Sequence, residues 1–236
     1  MDQVLPRVAK LSGINTYNEK ALHLDLKQWY TQAGDVLEVP LAGYFIDIVR
    51  GDLLIEIQTG NFTAIRHKLE RLAQTHPVRL VYPIAQEKWI VKLDAEGGRL
   101  SRRKSPARRS LAYVFAELVR LPTFLCSDNT SLDILLIQEE ETRMQDGQRA
   151  WRRHGWVTQE RRLLRVVQSR LWQTPADCLT LLPANLPTPF TTADLGIALN
   201  EPRWLAQKMV YCLRAMKLIV AAGKQGNAIL YTCTAF

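Results

Sequence analysis

The sequence has no cysteine pair with the spacing of a metal site. Its four cysteines, Cys126, Cys178, Cys212 and Cys233, form no C-x-x-C motif, so we do not expect a zinc site built from such pairs. Their spacing does not indicate a disulfide framework either. We expect free thiols in a reducing compartment.

Long apolar runs and targeting segments are also missing. No run approaches the ~20 apolar residues that a membrane span needs, and the opening residues MDQVLPRVAKLSG lack the apolar core of a signal peptide. We therefore expect a cytoplasmic protein without a membrane partner. No internal repeat or low-complexity tract is visible, and 236 residues are enough for one large or two small globular domains.

Negative charge is scarce relative to positive charge. The chain has 31 Lys and Arg against 23 Asp and Glu, a formal net charge of +8. A basic balance of this kind favours an anionic partner such as nucleic acid. Hydrophobic residues make up 47% of the chain, which is ordinary for a soluble globular protein.

The first two thirds of the chain alternate between helical and strand patterns. A helix is predicted over residues 16–33, where Thr16 and Glu19 have capping-box spacing, and a second one over residues 62–74. Strands are predicted over residues 36–40, 44–49, 53–59, 78–84 and 88–93. A strand, a helix and a continuously apolar strand in this order indicate an α/β crossover.

The middle of the chain is strongly basic. Residues 97–110, GGRLSRRKSPARRS, are interpreted as a basic linker, followed by a helix over residues 110–120. Two further strands, SLDILLIQEEE and WVTQERRLLRVV, are expected beyond it, joined by a charged loop.

From about residue 183 the pattern is typical of a winged helix. A proline-rich linker precedes a short helix over residues 191–199, a turn, a helix over residues 203–216 and a hairpin with glycines at its tip. Helix, turn, helix and hairpin follow each other in this order in winged-helix domains. We expect two domains, residues 1–180 and 181–236. Winged helices also serve as protein-contact modules, so a protein partner or a homodimer through this domain is the alternative to nucleic-acid binding.

Two carboxylates interrupt an apolar hairpin. In IDIVRGDLLIEIQTG, a two-residue loop at Gly51-Asp52 would place Asp47 directly opposite Glu56. Strand alternation would then give one face to Ile46, Ile48, Ile55 and Ile57, and the other to both acids and Gln58. Opposed carboxylates repel each other, and a divalent cation between them removes the repulsion. The alternative is an exposed sheet face on which both acids are solvated.

The region from about residue 16 to residue 84 resembles the PD-(D/E)xK nuclease superfamily. The resemblance rests on Asp47, on Glu56-Ile57-Gln58 in the next strand, and on the helix and buried strand that follow. The resemblance implies an α/β fold, with a restriction-endonuclease-like mixed sheet flanked by helices before the winged helix-turn-helix domain. It implies that Asp47 and Glu56 bind Mg²⁺ or Mn²⁺. Glu19, on the preceding helix, matches a further catalytic position of the family.

Gln58 departs from the family pattern, which has lysine there. Glutamine can orient a water but carries no charge. Lys68 on the following helix offers a substitute cation, although we interpret it as a solvated helix lysine. His23 is interpreted as a surface or satisfied core histidine rather than a catalytic base. The alternative interpretation of Glu19 is that it only caps the helix.

Clustered basic residues are the candidate nucleic-acid contacts, because arginine holds phosphates with two hydrogen bonds at once. Solvated loops are the alternative explanation for such runs. In the first domain the candidates are Arg102, Arg103, Lys104, Arg108, Arg109, Arg152 and Arg153. In the winged helix they are Arg203, Gln207, Lys208, Tyr211, Arg214 and Lys224.

These observations predict a metal-dependent nuclease acting on nucleic acid, with DNA as the expected substrate. Two alternatives remain open. The first is a non-catalytic DNA-binding regulator or assembly subunit on a disabled nuclease core, which Gln58 favours. The second is a nuclease that requires an RNA guide or a partner for activity.

Overall fold

A computed structural model of the chain describes residues 21–145 and 155–234. The helices are α1 (Ala21–Tyr30), α2 (Phe62–Leu72), α3 (Phe115–Leu118), α4 (Thr192–Leu199) and α5 (Arg203–Ala215). The strands are β1 (Val36–Leu41), β2 (Tyr44–Arg50), β3 (Leu53–Ile57), β4 (Val78–Leu93), β5 (Arg99–Lys104), β6 (Thr130–Gln145), β7 (Trp156–Trp172), β8 (Ile219–Gln225) and β9 (Ala228–Cys233). Short 3-10 helices cover Leu111–Val114, Phe124–Cys126 and Pro175–Leu181.

A seven-stranded mixed sheet forms the centre of the molecule. Its order is β1-β2-β3-β4-β6-β7, and β5 pairs with the outer half of β4. β2 pairs antiparallel with both β1 and β3, whereas β4 pairs parallel with both β3 and β6. The helix α2 links the parallel strands β3 and β4. The expected mixed α/β sheet flanked by helices and the expected crossover are therefore confirmed.

The two faces of the sheet carry separate apolar clusters. Leu69 of α2 packs in the same cluster as Leu80 of β4, while Leu26 of α1 packs with the next residue of that strand, Val81. Successive strand residues point to opposite faces, so α1 and α2 cover opposite sides of the sheet. We refer to these sides as the α1 face and the α2 face.

Three element boundaries differ from the expectations. Residues 78–84 and 88–93 form one 16-residue strand, because β6 pairs with β4 along its whole length. The prediction of a basic linker is wrong for Arg99–Lys104. These residues form β5, which pairs with a part of β4 that does not pair with β3. Every side chain of β5 is exposed, so its sequence carries no apolar alternation. The helix expected over residues 110–120 is a 3-10 turn followed by the short α3.

The α1 face contains two buried polar clusters besides its apolar residues. The Tyr30 hydroxyl donates a 2.7 Å hydrogen bond to the buried carboxylate of Asp133. Farther along the sheet, Lys88 Nζ lies 2.8 Å from Glu139 and 2.6 Å from Glu141. Burial alone raises the pKa of Glu141, but the hydrogen bonds from Lys88 and its other partners outweigh burial and lower it to about 2.

The C-terminal elements follow the expected order. The capping box of Thr191 and Asp194 starts α4, Asn200 ends it with a left-handed backbone at φ 52°, and α5 and the β8–β9 hairpin follow. Side chains of α5 such as Met209 join the apolar cluster of the α2 face. No helix in the described ranges is long and apolar enough to cross a membrane.

Candidate active site

The site lies where β2 and β3 separate. Gly51, at φ 57°, makes the turn of the hairpin, and the ladder pairs residues 48–50 with 53–55 in the expected register before it ends at Ile48–Ile55. Beyond that point Asp47 Oδ2 accepts a 2.8 Å hydrogen bond from the backbone N–H of Ile57. A carboxylate thus takes the place of a backbone acceptor between the separating strands.

Basic side chains from α1 contact the other oxygen of Asp47. His23 Nε2 lies 3.1 Å and Lys27 Nζ 3.7 Å from Asp47 Oδ1, and Lys27 also contacts Glu38 at 3.0 Å. Burial raises the pKa of Asp47, but the hydrogen bond and charge of His23, the Ile57 N–H and the charge of Lys27 together hold it below its ordinary value. Asp47 is therefore the ionised member of the site at neutral pH.

Glu56 is approached from the α2 face. Its Oε1 lies 2.6 Å from Lys68 Nζ, and the same ammonium donates a hydrogen bond to the carbonyl oxygen of Phe45. Glu56 Oε1 is buried, and the Lys68 ammonium is its close charged partner among the described residues. Burial and the nearby charge of Asp47 raise the pKa of Glu56 to about 7, against the lowering effect of Lys68.

The expectation that four isoleucines share one face of the hairpin and both acids share the other is wrong. Ile46 packs with Leu54 on the α2 face, while Ile48 packs on the α1 face. The alternation of β2 therefore breaks at Asp47, and the four isoleucines do not share one apolar layer. Asp47 and Glu56 are contacted from opposite sides of the sheet, although they are close enough for the charge of one to shift the pKa of the other.

The remaining expected catalytic residues are placed as follows. Gln58 continues the ladder through its backbone N–H, which donates to the carbonyl oxygen of Val81 at 2.9 Å. Its side-chain nitrogen donates to the carbonyl oxygens of Gly60 and Asn61 in the loop before α2. Glu19 lies outside the described residues.

Two residues that sequence reasoning set aside are part of the site. Lys68 is not a solvated lysine, because its side chain is only 15% exposed and contacts Glu56. His23 is satisfied, as expected, but its partner is Asp47. Lys27 was missed altogether. The spacing of His23 and Lys27, four residues apart on α1, was a readable signal that they share a face.

Within the described ranges, no group of three or more His, Cys, Asp or Glu side chains is arranged to hold a metal ion. The buried oxygen of Glu56, which lies 2.6 Å from the Lys68 ammonium, is the feature that fits a cation. Mg²⁺ commonly uses only one or two protein carboxylates and fills its other positions with water and phosphate oxygens. Asp47 and Glu56 meet that requirement in number and charge.

Several of the basic candidates in the first domain are ion-paired with glutamates of the sheet. Arg102 contacts Glu140 at 2.7 Å, and Lys104 and Arg108 both contact Glu87. These three have less charge to offer a phosphate than the sequence indicates. Arg103 is exposed on β5, and Arg109 lies over the ring of Tyr113 at 5.3 Å. Arg152 and Arg153 lie outside the described residues.

The candidates on α5 form an exposed stripe with one exception. Arg203, Gln207, Tyr211 and Arg214 are exposed, at the intervals of four, four and three that place residues on one helix face. Lys208 is half-buried, since its Nζ donates to the carbonyl oxygen of Ala116 at 3.0 Å. Lys224 is exposed near the turn of the β8–β9 hairpin.

Comparison with known proteins places these elements in a family. Residues 20–173 match the domain of unknown function DUF8091, a range that includes all of β1–β7 and both helices of the site. An uncharacterized protein of Treponema pallidum (strain Nichols) is similar, with 31% identity over 186 residues that cover 78% of this chain and 73% of the relative. No solved structure matches the chain. The chain belongs to the family defined by the domain of unknown function DUF8091.

Proposed function

We propose that the chain is a metal-dependent nuclease that hydrolyses phosphodiester bonds, with DNA as the expected substrate. The observation that carries the proposal is the pair of acids at the end of the β2–β3 ladder, in which the buried Glu56 carboxyl lies near the charge of Asp47 and has a pKa of about 7. Buried acids with shifted pKa values that face a charged neighbour are concentrated at functional sites. The element order α1-β1-β2-β3-α2-β4 agrees with the superfamily that the sequence resembles.

In this proposal Asp47 and Glu56 hold Mg²⁺ or Mn²⁺. The bound cation would supply Lewis acidity and neutralise negative charge on the scissile phosphate. Gln58 orients the attacking water through its amide oxygen, because its nitrogen is used by the loop. Lys68, 2.6 Å from Glu56, supplies the positive charge that the family's lysine would supply from position 58. Glu19 is proposed as a further catalytic residue.

The C-terminal elements are proposed to form a winged helix that binds nucleic acid. The order of α4, α5 and the hairpin supports this, as does an isolated bridge between Phe190 and Tyr231 that adds a third strand-like segment. Arg203, Gln207 and Arg214 on the exposed face of α5 would contact phosphates or base edges.

The second candidate function is a non-catalytic nucleic-acid-binding regulator or assembly subunit. Both oxygens of Asp47 already have partners, Oδ1 in His23 and Lys27 and Oδ2 in the Ile57 N–H. In this function, Lys27 and the His23 imidazole take the place of a metal ion at Asp47.

A cleavage assay separates the two functions. The protein is incubated with supercoiled plasmid and with single-stranded DNA in Mg²⁺ or Mn²⁺, beside Asp47→Asn and Glu56→Gln variants. The matched control is Glu70→Gln, which removes a half-exposed glutamate of α2. Cutting by the parent and the control, lost in both site variants and with EDTA, supports the nuclease. DNA binding without cutting, unchanged in the site variants, supports the regulator.

A further inference from the structure

We infer that α5 and the turn before α3 form a binding strip for unpaired nucleic acid, in which exposed aromatic rings stack on bases beside a row of arginines. The strip consists of Arg109, Tyr113, Arg203, Trp204, Gln207, Tyr211 and Arg214. The inference deepens the proposed nucleic-acid function by naming the form of the substrate, and it does not depend on cleavage.

Two aromatic rings on α5 are open to solvent. Trp204 is 44% and Tyr211 56% exposed, unusual values for large rings on a helix that buries Leu205 and Met209. They are seven residues apart, which is two helical turns or about 10 Å along one face. Each ring can therefore receive its own base, and stacking on such rings tolerates any base sequence.

Arginines follow one side of these rings. Arg203, Gln207 and Arg214 project within about 100° of Trp204 around the helix axis, which places them beside the aromatic pair. Within the described residues, neither arginine has a carboxylate within 4 Å, and Arg214 contacts only the ring of Tyr231, at 5.9 Å. These guanidinium groups, unlike Arg102 and Arg108, are free to bind phosphates.

The opposite side of Trp204 is closed by residues around α3 and by Lys208. Trp204 meets Tyr113 edge to face at 6.0 Å, and Lys208 bridges its ring and the carbonyl oxygen of Ala116. Arg109 then stacks over Tyr113 at 5.3 Å. The backbone N–H of Arg109 donates to Gln86 of β4, on the edge of β4 that β3 leaves open. Arg109 therefore lies beside the part of β4 beyond its pairing with β3.

The chemistry of the strip selects its ligand. Two acidic groups near it are already engaged, because Asp194 caps α4 and Glu117 binds the N–H of Phe62 at the start of α2, while Glu201, just before α5, is half-buried. Apart from the amide of Gln207, the groups of the strip itself are cationic or aromatic, the combination that binds single strands. A duplex keeps its bases stacked inside and would leave Trp204 and Tyr211 without a base to stack on.

Fluorescence anisotropy of a labelled single-stranded oligothymidine, measured in EDTA at low salt, tests the strip without any cleavage. The parent should bind the single strand more tightly than a duplex of the same length. Trp204→Ala should weaken single-strand binding about 5- to 150-fold, whereas Trp204→Phe, which keeps a stacking ring and guards against misfolding, should stay within about 5-fold of the parent. Trp29→Ala is the control, since Trp29 is a comparably exposed tryptophan on α1.

Three outcomes would overturn the strip. The first is equal affinity of the parent for single strand and duplex, and the second is an unchanged single-strand affinity of Trp204→Ala. In the third, light scattering shows that the parent is a dimer and that Trp204→Ala is a monomer, and neither protein binds the oligonucleotide. The surface would then be a self-association site. A strip that binds single strands in a protein that cuts nothing would leave this inference intact and count against the nuclease proposal alone.

Discussion

Replacing Glu56 by glutamine should make the folded protein more stable at pH 8 and have little effect at pH 4. Glu56 has a pKa of about 7 in the folded protein, against its ordinary value of 4.5. Below pH 4.5 the carboxyl is protonated in both the folded and the unfolded chain, so it adds no pH dependence. Between pH 4.5 and 7 the folded chain binds the extra proton, and stability falls as pH rises.

The size of the effect follows from the same shift. A difference of this magnitude makes the ionised form about 3 kcal/mol less favourable in the folded state than in the unfolded state. Glutamine has nearly the shape of the protonated acid and cannot ionise. The substitution therefore removes a penalty that is complete above pH 7, although Lys68 loses its ion-pair partner.

The assay is urea unfolding of the parent and Glu56→Gln from pH 4 to pH 9, with Glu70→Gln as the control for losing one carboxylate. Subtracting the two stability curves isolates Glu56 from every other titrating group. A difference curve that is flat between pH 4.5 and 8, or that rises in favour of the parent, refutes the reasoning. Mn²⁺ added at pH 8 should stabilise the parent and not the variant, if the pair binds a cation.

Three further substitutions test other parts of the structure. Lys68→Met removes the cation that lowers the pKa of Glu56, so a pH–rate profile of cleavage should shift toward higher pH, and an unshifted profile would separate Lys68 from the chemistry. Tyr30→Phe leaves the buried carboxylate of Asp133 without its 2.7 Å donor and should cost about 1–3 kcal/mol in urea unfolding; a loss below the error of the measurement would contradict the contact. Lys88→Met leaves two buried glutamates of β6 without their shared ammonium and should cost about 3–5 kcal/mol at pH 7. That loss should shrink as the pH falls from 4.5 toward 2, because the lowered pKa of Glu141 stabilises the folded chain fully only above the ordinary glutamate pKa of 4.5. A loss that does not change with pH would contradict the ion pair.

Local sequence patterns were sufficient for the order of the elements. The hairpin register around Gly51, the α2 crossover and the two C-terminal helices follow from turn residues and apolar spacing, which act over a few residues. The same reasoning placed Asp47 and Glu56 on neighbouring strands. It failed for β5, because a strand whose side chains are all exposed has no apolar alternation to detect.

What the sequence by itself determined was that Asp47 and Glu56 would lie on neighbouring strands near the open end of the β2–β3 hairpin. Only the tertiary structure decided how they are used. The break in alternation at Asp47 turns its carboxylate toward α1, where His23 and Lys27 contact it, while Glu56 turns toward Lys68 on the opposite face. These partners come from helices packed on the two sides of the sheet, and such packing depends on the whole apolar core rather than on any local run of residues.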